Sequence, residues 1–437
     1  MEIKDQGDDG TNKRRGLTFT FFKERINILT REPLYKNAVY LIMTSGFGSL
    51  LGFVSWIIIA RIYNASEVGL AAAIISSTSL LGTFSKLGFD FSVIRYLPIE
   101  NDKKGLINSS QTIVGIFSLI LALIFVAGLQ WWAPALLLIQ RNIAFLALFI
   151  VFTAVFSLSN LQYSIYIGLR SGKYSLYESL ISSVLSIPLP IIFASLGALG
   201  IFLSSGLASL VAFAIGLFVL IPRLVIGYFP KPTINKKIIF PIMHFSVGNY
   251  IAEILDSLPG LLFPLIIINY LTTQINAYFF IVWTIANTIF TVPVAISTSL
   301  LVEGSYEPQQ FQKDIKKAIK FTFLLIIPIT IIIFFFGGNI LLLFGKKYSQ
   351  GGVQLLQILV LSSIPLSINR IYITIKRIQE QIRPIIFVYL CNTIFTLSAT
   401  FVLLPRIGLL AIGIAWITTQ TLIAIILGIL IIRNNNE

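Results

Sequence analysis

Twelve stretches of this chain are apolar over the roughly 20 residues that a helix needs to cross ~30 Å of hydrocarbon. They cover residues 38–60, 69–93, 106–129, 142–168, 175–196, 198–221, 238–268, 276–301, 318–340, 352–375, 384–404 and 407–432, with short polar turns between them. Composition points the same way: of 437 residues, 56% are hydrophobic and 11% charged. A soluble domain carries about 25% charged residues, so a water-facing globule is excluded. The sequence predicts an all-α integral membrane protein of about 12 transmembrane helices.

The formal charge of +14 would suggest nucleic acid in a soluble protein, but its distribution reads as topology. With the amino terminus in the cytoplasm, 26 of the 32 Lys and Arg fall at cytoplasmic ends; Arg61, Arg141, Lys346, Lys347 and Arg406 fall opposite, and Lys86 lies within a span. That is the asymmetry the positive-inside rule gives an even-numbered bundle with both termini cytoplasmic, so no nucleic-acid partner is expected. Met1–Asn37 lacks the apolar core of a signal peptide and is expected to be a basic cytoplasmic segment, 1–37. An amino-terminal six-helix lobe, 38–222, follows, then a cytoplasmic linker, 223–237, a carboxy-terminal six-helix lobe, 238–432, and a tail, 433–437.

Chemistry is sparse. One histidine (His244) and one cysteine (Cys391) exclude a disulfide framework and any His/Cys metal cluster. There is no phosphate-binding G-x-x-x-x-G-K-[ST], no G-x-S-x-G and no zinc signature. No outer loop is long enough to form a catalytic domain. The expectation is a protein that is not an enzyme and needs no cofactor. Gly48 and Gly52 form a G-x-x-x-G in the first span, read as close helix packing.

The informative residues are ionisable groups at membrane depth, each of which costs about 2.5–3.5 kcal/mol at mid-bilayer. Asn249, Glu253 and Asp256 share one face of the seventh span, followed by Pro259-Gly260 and Pro264, which are expected to break that helix. Carboxylates beside a broken span suit binding of H⁺, Na⁺ or substrate. In the second span Lys86 and Asp90 stand at i, i+4 and are expected to neutralise one another, with Arg95 near the headgroups. Glu178 and Arg370 are placed near the cytoplasmic interface, where long side chains snorkel. His244 is a candidate proton switch, weighed against a merely hydrogen-bonded histidine.

An internal repeat is faint. Tyr63-Asn64-Ala65-Ser66-Glu67-Val68-Gly69 follows the first span and Tyr270-Leu271-Thr272-Thr273-Gln274-Ile275-Asn276 follows the seventh. Six spans separate them, so the halves would share one orientation about an axis along the membrane normal.

Two segments carry a family resemblance. Ala60-Arg61-Ile62-Tyr63-Asn64-Ala65-Ser66-Glu67-Val68-Gly69-Leu70 is similar to an A-R-x-x-x-x-x-E-x-G-x turn between helices one and two. Leu87-Gly88-Phe89-Asp90…Arg95-Tyr96-Leu97-Pro98 is similar to an L-G-x-x-x-x-x-x-R end of helix two. Both occur in the polysaccharide transporter family, the O-antigen-type flippases of the multidrug/oligosaccharidyl-lipid/polysaccharide (MOP) exporter superfamily, which the chain resembles. The resemblance implies alternating access by two lobes around a central cavity. It also implies export of a polyprenyl-linked oligosaccharide across the cell membrane for surface polysaccharide synthesis, with membrane lipid as surroundings and H⁺ or Na⁺ as coupling ion. Arg61, Lys86, Asp90, Arg95, Asn249 and Arg370 become the candidate cavity residues, and Glu253 and Asp256 the ion-coupling ones. An ion-coupled drug or cation antiporter of the same superfamily would also use intramembrane acids. A major-facilitator carrier would carry a longer central loop than Pro222–Lys237, and a membrane-embedded glycan polymerase would need larger outer loops.

The topology is testable. In a Cys391→Ser background, cysteines replacing Lys173 or Lys316 should stay unlabelled when an impermeant maleimide is added to intact cells; labelling from outside would overturn the orientation.

Overall fold

The computed structural model describes residues 33–306 and 311–434. Residues 1–32 of the expected basic segment and 435–437 of the tail lie outside them. The described chain is helical throughout, without a strand. The helices are α1 (Pro33–Ile62), α2 (Ala65–Ser85), α3 (Phe89–Tyr96), α4 (Lys103–Ala127), α5 (Ile143–Gly168), α6 (Gly172–Leu185) and α7 (Ala198–Ile215). There follow α8 (Lys236–Tyr270), α9 (Thr273–Tyr306), α10 (Phe311–Leu342), α11 (Lys346–Leu361), α12 (Ser363–Ile378), α13 (Ile382–Ile407) and α14 (Leu410–Asn434). Joined across their kinks, these make twelve rods where twelve were expected. Among the described residues, eleven helices are long and apolar enough to cross a membrane, and the apolar part of α1, Gly46–Ile62, is a shorter twelfth. Alternation of the rods gives the bundle a basic end, holding Lys103, Lys104, Lys173, Lys231 and Lys376, and a far end holding the α1–α2 and α8–α9 turns.

The repeat is real and the structure closes it on itself. Ser66 and Thr273, equivalent positions of the two turns, share a 2.5 Å hydroxyl contact, and the Asn276 amide donates to the Gly69 carbonyl at 2.7 Å. Both pairs are 207 residues apart. Equivalent residues touch one another only near an axis of pseudo-symmetry, so the starts of α2 and α9 straddle that axis. A Cβ on Gly69 would overlap the Thr273 backbone carbonyl, which makes glycine obligatory for this approach. The largest buried cluster joins the two halves here, with Ile59, Tyr63 and Val68 packed among Phe279, Val282 and Phe344. Trp56 packs at a tilt on Phe280, ring centroids 4.6 Å apart, and Phe53 meets Phe344 edge-on at 5.1 Å. Toward the basic end the same helices turn exposed, at Phe47 and Leu50 of α1 and Thr288 and Thr291 of α9.

The interruptions do not fall where proline alone placed them. α8 is continuous for 35 residues, so the break expected at Pro259-Gly260 is corrected. Pro259 does leave the Leu255 carbonyl without its i+4 amide, but the Thr393 hydroxyl of α13 donates to that oxygen at 2.6 Å. The fifth rod kinks at Pro188, and the Ser186 carbonyl, denied a donor by Pro190, accepts from Ser55 of α1 at 2.6 Å. The tenth divides at Ser362, where Pro365 removes the amide that Leu361 would have bonded. The second breaks most sharply. Leu87 (φ 51°) and Gly88 (φ 78°) both sit in the left-handed region, and the freed Phe84 carbonyl accepts from Tyr250 of α8 at 2.5 Å. The G-x-x-x-G reading holds at one end only: a Cβ on Gly48 would press on Ser179 at 3.2 Å, whereas Gly52 faces nothing within 4 Å.

Gly69→Ala should therefore lower stability by about 1–3 kcal/mol, the usual cost of overpacking. Gly52→Ala should melt like the wild type; equal melting temperatures for both would refute the close approach at Gly69.

Candidate functional site

The break after α2 places an ionic triad between the halves. Lys86 caps α2 as its helix ends, and its ammonium reaches Asp90 on α3 at 2.8 Å and Glu253 on α8 at 2.5 Å. The expected Lys86–Asp90 pair is present, but across a break rather than along a helix, with a third member from the other half. Ser92 extends the seam by donating to the Ile242 carbonyl at 3.1 Å. Lys86 and Asp90 side chains are 11% exposed, Glu253 30%. The second oxygen of Glu253 is buried with no hydrogen-bond partner. Two carboxylates on one ammonium leave the triad one negative charge in excess.

Asp256, one turn along α8, belongs to a different network. It takes a bidentate pair from Arg370 of α12, at 2.8 and 2.9 Å, and Arg370 also donates to Tyr389 at 2.9 Å. Planar forks of this kind hold the guanidinium in one orientation. Beside it Asn369 donates to Gln420, and Gln420 to Asn392, at 2.7 and 3.1 Å. Arg370 therefore does not snorkel: a fixed anion at bonding distance satisfies it better than a stretch to the headgroups. The two carboxylates of α8 share a face but serve opposite halves, Glu253 the amino-terminal and Asp256 the carboxy-terminal.

The other candidates are dispersed. Arg61 is exposed at the far end, where its guanidinium caps the end of α10 by donating to the Leu342 and Leu343 carbonyls, both at 2.7 Å. Arg95 lies on α3 at the basic end, 5.8 Å from the Tyr96 ring. Asn249 is half-buried on α8. His244 falls within α8, but its side chain lies outside the described residues. Glu178 is buried instead of snorkelling, because Gln162 sits over its carboxylate. Sequence reasoning missed Tyr250, Tyr389, Thr393 and Gln420. Their one signal was polarity inside apolar runs, which does not say which neighbour each would meet. Among the described residues no group of His, Cys, Asp and Glu could hold a metal ion.

Chemically, each intramembrane cation is held by a carboxylate of α8, from opposite sides. A phosphate oxygen offers the same acceptor geometry as those carboxylates and competes for both cations.

Twelve rods, eleven of them of membrane-crossing length and apolarity among the described residues, in two like-oriented repeats with buried and half-buried ion pairs between them, define a multi-pass membrane transporter. The chain belongs to the polysaccharide biosynthesis protein family, whose profile matches residues 34–274, and the MatE profile matches residues 251–402. It is a MOP-superfamily transporter. Its fold is similar to that of a multidrug resistance MATE family transporter of the MOP superfamily in the inward-facing conformation. That structure shares 16% identity over 88% of this chain and 96% of that one, TM-score 0.64. An outward-facing MATE family transporter matches at 16% over 91% and 95%, TM-score 0.59. A MOP superfamily transporter from Pyrococcus furiosus Vc1, described by the reverse polarity of its binding pocket, matches at 14% over 92% and 96%, TM-score 0.54. None of the curated proteins matches the sequence.

Lys86→Ala would leave Asp90 and Glu253 facing each other without a cation, and should cost about 3–5 kcal/mol. The triple replacement Lys86→Met, Asp90→Asn, Glu253→Gln should cost less than that single change. Melting of the purified variants checks this, and a triple variant less stable than Lys86→Ala would argue against a coupled triad.

Proposed function

We propose that this protein exports a polyprenyl-linked oligosaccharide from the cytoplasmic to the outer leaflet of the cell membrane by alternating access, exchanging it for H⁺ or Na⁺. The observation that carries the reading is the surplus carboxylate of the Asp90–Lys86–Glu253 triad, with the buried, unpartnered second oxygen of Glu253. When that carboxylate takes up a proton, Lys86 keeps Asp90 alone and its ammonium gains a spare donor for an anionic headgroup. Arg370 offers a second donor from the other half. Phosphate would enter as the coupling ion neutralises α8, and its departure would return both cations to their carboxylates.

The far end is sealed by the Ser66–Thr273 and Gly69–Asn276 contacts and by Arg61 capping α10. The exposed faces of α1 and α9 lie toward the basic end. With the basic end cytoplasmic, this arrangement supports a state that loads from the cytoplasm. The amino-terminal lobe 38–222 and carboxy-terminal lobe 238–432 would rock about the α2–α9 contact, with the linker 223–237 between them. The polysaccharide biosynthesis family match supports a lipid-linked glycan as the cargo. A second reading, an ion-coupled drug or cation antiporter, is favoured by the MatE match over 251–402. Against it stands the fixed cation on each α8 carboxylate, which a cationic drug would have to displace.

Glu253→Gln should insert and fold, since Lys86 keeps Asp90 and removing charge from a span lowers its insertion cost, whereas Asp256→Asn strips Arg370 of its fixed anion and should fold with lower stability. Flipping of a fluorescent polyprenyl-linked glycan in proteoliposomes should lose its dependence on an imposed pH or Na⁺ gradient in Glu253→Gln. Wild-type rates in both variants under every gradient would defeat the coupling. Uptake of a cationic dye with no flipping of the glycan would establish the antiporter instead.

A further inference from the structure

A cavity of about 290 Å³ lies inside the amino-terminal half, away from the triad, between α1, α5, α6 and α7. Its wall is built of hydroxyls, among them Thr44, Ser159, Ser175, Ser182 and Ser209, with Asn160 and one carboxylate, Glu178. Phe156 and Tyr163 add aromatic surface, and Tyr163 is 40% exposed at the rim.

The local fold explains the carboxylate. α7 ends in a π turn, Gly216–Leu220, which displaces the Leu217 amide from the regular ladder. With the Gln162 side-chain amide turned to the orientation its neighbours require, its oxygen accepts from the Leu217 amide at 3.1 Å and its nitrogen donates to both Glu178 oxygens, at 3.0 and 3.2 Å. Gly216 admits the cluster: a Cβ there would lie 2.6 Å from Gln162, 2.7 Å from Glu178 and 2.8 Å from the Tyr166 hydroxyl. Glu178 is 9% exposed, and among the described residues no Lys or Arg forms an ion pair with it. The Ser159 and Ser175 hydroxyls are buried without partners. Buried polar groups of this kind are normally satisfied, and here the unsatisfied ones border a cavity.

We propose that this cavity is a sugar subsite, which takes one neutral or amino-substituted ring of the transported glycan with Glu178 as acceptor for its hydroxyl or ammonium donors. The volume, about 290 Å³, falls just under the ~300–1,000 Å³ typical of small-molecule sites and far exceeds what a bare cation fills. Serine hydroxyls both donate and accept, so they match a ligand whose own groups are hydroxyls. Sites lined in this way reject analogues that leave them unpaired. An acidic sugar would bury a second carboxyl group against Glu178 with no cation to offset its charge, so uronic acids are excluded. The phosphate would then go to Lys86 and Arg370 and the sugar to Glu178, dividing the substrate by charge.

This rests on the export reading above, and the experiment separates the two. In a Cys391→Ser background, Ser182→Cys reports occupancy through its rate of maleimide labelling in the purified full-length protein. N-acetylglucosamine and glucosamine should slow labelling, and glucuronic acid should not. Glu178→Gln should raise the half-protecting concentration about tenfold, the effect of losing one charge-assisted hydrogen bond. If that variant melts early, Ser209→Leu, which fills the cavity from α7, should abolish protection independently. Protection by Na⁺ or by acid with none by sugars, equal protection by glucuronic acid, or no protection at all would overturn the subsite. Sugar protection without flipping of the polyprenyl-linked glycan would keep the subsite and remove the export reading. Flipping without protection would do the reverse.

Discussion

A backbone carbonyl that loses its i+4 amide inside hydrocarbon has no water to turn to, and the desolvation cost is several kcal/mol. The bundle is arranged around that constraint. Phe84, Ser186 and Leu255 each have such a carbonyl, and each accepts from a hydroxyl on a neighbouring helix: Tyr250, Ser55 and Thr393. Those three bonds also dictate helix partners. Tyr250 fixes α8 against the broken second span, Ser55 fixes α1 against α6, and Thr393 fixes α13 against α8. At these three places irregular backbone is completed by another helix, so each interruption becomes a point of attachment.

The same logic separates a gap that bends a helix from one that breaks it. At Pro259 a single hydroxyl repairs the ladder and α8 continues to Tyr270. At Leu87 and Gly88 the backbone itself turns left-handed, so no donor restores the helix and a new one starts at Phe89. The charged residues gather at the true break. Asp90 lies in the first turn of α3, near its positive end. Lys86 lies at the end of α2, and Glu253 completes the set from across the seam.

The halves meet through contacts of contrasting kinds. Near the pseudo-axis, Gly69 and Thr273 approach so closely that a methyl group cannot enter, and a dense aromatic and aliphatic cluster surrounds them. Toward the basic end the seam carries the Lys86–Glu253 ion pair and the Ser92–Ile242 bond. Packing of the first kind has no alternative partner on either side. An ion pair does, because a proton or a phosphate satisfies its members equally well. That difference makes the polar seam the part able to change state.

Much of this was legible in the chain. Twelve rods, their all-helical class and the repeat offset follow from local pattern, because hydrocarbon thickness sets segment length; the Lys86–Asp90 pairing was expected from i, i+4 spacing, but it forms across the break at Leu87 and Gly88. Proline positions were legible too, but not their consequences: α8 runs on through Pro259, whereas the second span breaks at Leu87 and Gly88, where the backbone turns left-handed and no proline stands. The partners of Glu253 and Asp256 were equally hidden. Lys86 is 167 residues and Arg370 114 residues away along the chain, and neither distance leaves a trace in local sequence. Glu178 shows the same limit: its depth suggested a snorkelling acid, and only the π turn of α7, which turns Gln162 toward it, made it a buried one. Residue type fixed which groups needed partners; the packing of helices far apart in sequence decided which partners they got.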